Sequence, residues 1–301
     1  AMVDLARAAM VTRARSLEAF SFADARDAWL VDDGDGLAFA FVGVIPQRRH
    51  AVAAFYGGLT LRNGVPIGYM QADVVGRSAA LSFNTFETFR GGEAAWNLGR
   101  LLAVLRHVFG ADAFSIEPYQ LGRGNDEGID SGAWWFYFKL GFRPRAPAAR
   151  ALAAAELARI ERRPSHRSSP RTLRALAAHH LFLDLDRRRR TPLPPLAAIG
   201  LRAARLLADR DTDAGRAQAA IEREAAAAIG LRSAGMLEAE ERAALAALAP
   251  LVLLAGAGRW PKPQRQALQR LIRAKAAVSE LDYARRLAAH RHFCRALFGQ
   301  S

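Results

Sequence analysis

The stretch SGAWWFYFKLGFRP, residues 131–144, decides how this chain is read. From Trp134 to Phe138 every side chain is aromatic, which is too apolar a run for a surface loop. Gly141 stands where a helix stops and reverses. The pattern predicts a buried helix with a capped exit, followed by a strand beyond Phe142.

Upstream, apolar runs at residues 28–31 and 37–45 flank DDGDG, and three further runs occupy 53–61, 65–74 and 79–86. Asn63-Gly64 and Gly76-Arg77-Ser78 join the last three and supply the positive backbone angles of tight hairpins. An antiparallel meander is expected. Alternating Asp and Gly is how cation loops begin, but DDGDG lacks the later bidentate Glu and reads as a turn. Residues 93–109 have a helical period with Trp96, Leu98, Leu101, Leu102, Leu105 and Val108 on one side, and Gly110 closes them. A short strand at 113–116 precedes the aromatic helix, and an amphipathic helix is expected over 3–20. Strands as a meander, then strand and helix in alternation, is an α+β order.

Taken from Asp130, the order Asp, two small residues, Ala133, three aromatics, Tyr137, Lys139 and Gly141-Phe142 resembles the late motif of the GNAT superfamily of N-acyltransferases. The usual form there is Asn-x-x-Ala-x-x-x-Tyr-x-Lys-x-Gly-Phe, with Asp130 standing here for the Asn. The resemblance covers residues 27–145 and implies a mixed sheet with flanking helices. It also implies acetyl-CoA or a longer acyl-CoA as co-substrate, Tyr137 as the acid that protonates the leaving thiolate, and Asp130 and Ser131 beside the acyl-CoA arm. The family's second motif, Gln/Arg-x-x-Gly-x-Gly/Ala, falls on FRGGEAA, residues 89–95. One register uses Arg90 and Ala95 and the other Gly92 and Ala94; in both, Gly91-Gly92 lets backbone approach a pyrophosphate at a helix start. Glu93 would compete with that phosphate for the same amides.

Acyl transfer to an amine needs a base, and two carboxylates qualify by position. Glu87 ends the strand leading to the glycine pair, and Glu117 follows Phe114-Ser115-Ile116 where the central strands are expected to splay. The loop LGRGNDEGIDS, residues 121–131, is expected to be mobile through Gly122, Gly124 and Gly128, with acidic residues that favour a cationic amine acceptor.

Charge divides the chain. Residues 1–142 hold 13 Arg and Lys against 15 Asp and Glu, and residues 143–301 hold 30 against 14, which places the net +14 entirely in the second half. An acyltransferase-like domain is expected over 1–148, basic helices with Pro- and Arg-rich linkers over 149–195, and an all-α basic domain over 196–301. Within these, RRPSHRSSPR (162–171) and RRRRTPLPP (187–195) read as solvated linkers, and helices are expected at 150–161, 171–181, 196–209, 213–229, 236–255, 262–276 and 279–298. The basic half suits nucleic acid or an acidic partner such as an acyl carrier protein. Few aromatics interleave with its arginines, so stacking on bases is not supported.

The apolar run 243–257 is interrupted by Pro250 and is shorter than a membrane helix needs, so a buried helix pair is expected there. The single cysteine, Cys294, excludes an internal disulfide, no secretory leader is evident, and a reducing cytoplasm is the expected compartment. Ala1-Met2 reads as a remnant of expression. His290, His292 and Cys294 do not share one helical face, and no metal site is expected. The function expected is direct acyl transfer from acyl-CoA, or a carrier-protein thioester, to an amine. The alternative is a non-catalytic scaffold of the same fold whose basic half binds nucleic acid or an acidic protein.

Overall fold

Alternation along LAFAFVGV, Leu37–Val44, shows why the sheet has two covered faces. Leu37, Phe39 and Phe41 enter one core with Tyr56, Met70 and Leu98, whereas Ala40 and Val42 enter another with Val3, Met10, Phe20 and Leu59. A computed structural model describes residues 1–186, 190–231 and 237–299. The smaller core lies under two helices, α1 (Met2–Val11) and α2 (Glu18–Ser21). The larger core lies under α3 (Ala94–Phe109) and the second half of the chain.

The sheet has eight strands: β1 (Ala23–Gly34), β2 (Leu37–Val44), β3 (Ala54–Arg62), β4 (Val65–Val75), β5 (Ser78–Thr85), β6 (Ala113–Ile116), β7 (Arg143–Pro144) and β8 (Leu181–Asp184). Their order is β1-β2-β3-β4-β5-β6-β8-β7, antiparallel except for the β5–β6 pair. The expected meander is present. Its hairpins turn at Asn63-Gly64, both with positive φ, and at DDGDG, where Gly34, Asp35 and Gly36 all have positive φ. Asp33 of that turn makes a two-pronged ion pair with Arg100, at 2.6 and 2.8 Å.

Between β6 and β7 lie α4 (Asp126–Asp130) and α5 (Ala133–Lys139), the latter being the aromatic helix. Then come α6 (Pro147–Arg162), α7 (Pro170–Leu176), α8 (Leu196–Ala208), α9 (Ala214–Ile229), α10 (Ala239–Leu254), α11 (Lys262–Ala276), α12 (Leu281–Ala289) and α13 (Arg291–Phe298). No helix among the described residues is long and apolar enough to cross a membrane.

The helix expected over 3–20 is two, Met2–Val11 and Glu18–Ser21, and the second half of the chain departs from expectation at four places. The sheet does not end near residue 148. Strand β8 inserts between β6 and β7, pairing Ile116 with Leu181 and Pro144 with Leu181, so part of the segment read as helices and linkers is sheet. LFLD, residues 181–184, is too short a run to outweigh the Ala- and Arg-rich composition around it, and only the open flank of β6 makes it a strand. The stretch 162–171 is anchored, because Glu156, only 1 % exposed, accepts from Ser168 Oγ at 2.6 Å and pairs with Arg159 at 2.5 Å and with His166 at 3.1 Å. Of the RRRR run, residues 187–189 lie outside the described residues, as does 236 at the start of one expected helix.

The third departure is α10, one helix continuing through Pro250 where a pair was expected. A proline removes the N–H that would bond the carbonyl four residues back. Here that carbonyl, of Ala246, accepts instead from Gln218 Nε2 on α9 at 3.0 Å. The fourth is the C-terminal helix, which divides at His290 into α12 and α13.

The helical half docks on the sheet through buried polar groups. Tyr56 Oη donates to Asp27 Oδ2 at 2.9 Å and accepts from the Glu280 amide at 3.0 Å, and Tyr283 Oη donates to the Val52 carbonyl at 2.7 Å. Lys275 and Glu280 form an ion pair inside this interface, both almost wholly buried. Arg49 reaches across to the carbonyls of Lys275 at 3.1 Å and Ala277 at 2.7 Å. One apolar core runs from Leu37 to Phe298.

Candidate active site

Parallel pairing of β5 and β6 covers four registers, Ser78↔Ala113 to Leu81↔Ile116. Beyond Ile116 the partner strand gives way to a 3-10 turn, Pro118–Leu121, while β5 continues to Thr85 on the support of β4. The two strands therefore part, and the β5 carbonyls facing the gap need other donors. Phe83 O accepts from Tyr137 Oη at 3.3 Å, and Thr85 O accepts from Arg90 Nε at 3.2 Å.

A cavity of about 510 Å³ opens at this point. One wall is Arg90, Gly91, Gly92, Ala94 and Ala95; the other is Ser131, Ala133, Phe136 and Tyr137; Asn84, Gln120, Asn125 and Glu127 add polar groups. Two sequence segments about forty residues apart thus face each other across the gap. A Cβ built on Gly91 or Gly92 meets no atom within 4 Å, so backbone lies open to the cavity. The amides of Gly91, Gly92 and Glu93 donate to no protein acceptor among the described residues. Together with the first turn of the 16-residue α3, they form a cradle of the kind that accepts phosphate oxygens.

Glu93 does not compete for those amides. It is the residue before the helix, makes no side-chain cap, and leans towards Arg62 at 3.5 Å. The cavity carboxylate is Glu127, which sequence reasoning assigned only to a mobile acidic loop. Its oxygens bridge Arg90 at 2.5 Å and Arg15 at 2.7 Å, and the two guanidiniums hold its pKa below the ordinary carboxylate value against the opposing effect of burial. Arg15 comes from the turn after α1, so only the folded chain brings it here.

The loop itself is ordered differently from expectation. Residues 126–130 are helical, Asn125 caps them by accepting from the Gly128 amide at 3.4 Å, and Ile129 is buried. Gly128 packs against Gly122, where a Cβ would lie 2.9 Å from the Gly122 nitrogen. Asp126 pairs with Arg174 at 3.2 Å, so two of the loop's carboxylates are already neutralised and the attraction for a cationic acceptor is correspondingly reduced.

Tyr137 is 3 % exposed, and burial raises its pKa far above the ordinary phenol value, so it stays protonated at neutral pH. The rings of Phe136 and Phe142 meet it edge-on at 5.2 and 5.6 Å and fix its plane. Ser131 lines the cavity; Asp130 is exposed and does not. Neither proposed base lines it. Glu87 lies exposed in the 3-10 turn Glu87–Phe89, and Glu117 is exposed at the exit of β6, its field reaching His180. Both carboxylates stand just past their strands, Glu87 in a 3-10 turn and Glu117 directly before one, and there both are exposed to solvent.

Among the described residues no group of three or more His, Cys, Asp or Glu side chains is arranged to hold a metal ion. No protein-family model matches the chain, and comparison with curated proteins and with solved structures finds no match.

Proposed function

We propose that the chain is a GNAT-like acyltransferase that moves an acyl group from acyl-CoA to an amine by direct transfer. The observation that carries this reading is the divergence of β5 and β6 beyond Leu81 and Ile116, with an amide cradle on one wall of the opening and a protonated phenol on the other. Gly91, Gly92 and the start of α3 would hold the pyrophosphate, with Arg90 beside it. Coenzyme A supplies the activated thioester and a thiolate leaving group. The hydroxyl of Tyr137, resting on the Phe83 carbonyl, is the proton donor for the leaving thiolate. With Glu87 and Glu117 turned outward and Glu127 bound by two arginines, the acceptor's ammonium proton leaves through solvent in the cavity mouth.

That same lack of a free carboxylate favours one second reading, a non-catalytic scaffold of this fold whose basic half binds nucleic acid or an acidic protein. Thermal unfolding with acetyl-CoA and a longer acyl-CoA separates the two. A ligand at about 100 times its Kd stabilises by about 2.7 kcal/mol. The melting temperature is expected to rise with thioester and not to rise in Gly92→Glu, a variant for which the open space at residue 92 makes misfolding a poor explanation. No rise with any thioester, together with salt-sensitive binding of nucleic acid, overturns the enzyme reading.

A further inference from the structure

A second cavity, of about 410 Å³, lies at the β7 edge of the sheet under α6. Its floor is apolar: Phe138 from the end of α5, Phe182 from β8, and Ala153, Ala154 and Leu157 from α6. Positions 150, 153, 154 and 157 fall on one face of that helix, so Arg150 sits a turn above the alanines and leucine. The alanines leave the room; larger side chains there would fill it.

Four arginines and a single carboxylate, Asp184, line this apolar space. Two of the arginines belong to the frame. Arg145 makes a two-pronged pair with Asp184, at 3.0 and 2.8 Å, and lies 4.0 Å over the Phe182 ring. Arg143 donates to the carbonyls of Phe138 and Phe142, at 2.6 and 2.8 Å, and lies 4.0 Å over the Phe138 ring. Arg150 and Arg190 are exposed and pair with no carboxylate among the described residues. Each guanidinium left in this state at the rim of an apolar space attracts an anion and disfavours a cation.

We propose that this groove binds a small amphipathic anion, its apolar body against Phe138, Phe182, Ala154 and Leu157 and its carboxylate or phosphate head between Arg150 and Arg190. The volume is in the range of small-molecule sites, and a few charged groups at one end of an apolar cleft is how such sites fix orientation. The groove is separate from the cavity at the strand gap, and the proposal does not depend on acyl transfer.

Isothermal titration of the 301-residue chain with octanoate and with octyl phosphate tests this, with octylammonium and inorganic phosphate as controls. Saturable binding of one molecule per chain is expected for at least one octyl anion, and which one binds separates a carboxylate head from a phosphate head. Arg150→Glu is expected to weaken it at least tenfold and Ala154→Leu to weaken it by shortening the space, while Arg202→Glu, on the exposed face of α8, leaves it unchanged. Arg150 makes no side-chain hydrogen bond or ion pair among the described residues, so its variant is expected to keep the fold; Ala154→Leu carries the test should that variant misfold. Equal affinity for octylammonium or for inorganic phosphate, several molecules bound per chain, or indifference to the groove variants overturns the proposal.

Discussion

Two buried acidic groups, one a phenol and one a carboxylate, show how much a single position can decide. Tyr137 has lost its water but kept a carbonyl partner, which leaves it a donor poised at the strand gap. In Tyr137→Phe, steady-state turnover of acyl-CoA is expected to fall by about 10²–10⁴-fold, with the thioester-induced rise in melting temperature retained and stability changed by about 1 kcal/mol. Undiminished turnover removes Tyr137 from the mechanism. Asp27 is 2 % exposed, and a Cβ at Gly43 would overlap its carboxylate, so Gly43 is what makes room for it. Oδ2 has Tyr56, but Oδ1 has no hydrogen-bond partner among the described residues. Burial therefore raises its pKa above the ordinary 3.8, only partly offset by hydrogen bonds. A carboxyl whose folded pKa is raised favours folding below its ordinary value, and that contribution is lost as pH rises through the raised value. Urea unfolding of Asp27→Asn is thus expected to show a gain over the parent that grows between acid and neutral pH; a difference constant with pH contradicts this.

Elements acquire their roles from what flanks them. Strand β6 is only four residues long, and its early end, rather than any special side chain, opens the gap beside β5. Helix α5 presents Phe136 and Tyr137 to one cavity and Phe138 to the other, because successive residues on a helix face different directions. The segment after α6 is held by Glu156, whose pKa is lowered by the Ser168 hydroxyl first and by His166 and Arg159 after it. Hydrogen bonds to a charged group are worth about 1.5–3 kcal/mol. Glu156→Ala is expected to cost about 2 kcal/mol on that basis and to expose residues 162–169 to limited proteolysis. Protease resistance equal to the parent would mean the segment is held by something else. The stabilisation from Glu156 is present above the ordinary carboxylate value and lost as pH falls through the lowered one.

At the scale of the whole molecule, the helical half is fastened to the sheet by charge as well as by apolar contact. Lys275 donates to the Ala53 carbonyl at 3.1 Å and to Glu280, and burial pushes the lysine pKa down while Glu280 opposes that shift. Removing one partner of a buried pair leaves the other uncompensated, at a cost of about 3–5 kcal/mol. Glu280→Ala is expected to lose about that much in denaturant unfolding, and Lys275→Met combined with Glu280→Ala to lose less than Glu280→Ala alone. A double variant no better than the single one would show that the ammonium is not the source of the cost.

What the sequence determined is the local grammar: the meander with its Asn-Gly turn, α3 closed by Gly110, the aromatic helix, and the glycine pair before a helix. Periodicity and turn chemistry act over a few residues, so they can be read along the chain. The tertiary structure alone decided the rest. A four-residue strand at 181–184 formed because β6 offered an unpaired flank, and Pro250 stayed inside a helix because Gln218 took the carbonyl it freed. Arg15 and Arg90 claimed Glu127, while Glu87 and Glu117 turned to solvent. In each case the deciding partner lies tens of residues away, and the free energy that selects the outcome exists only once the chain has brought the two together.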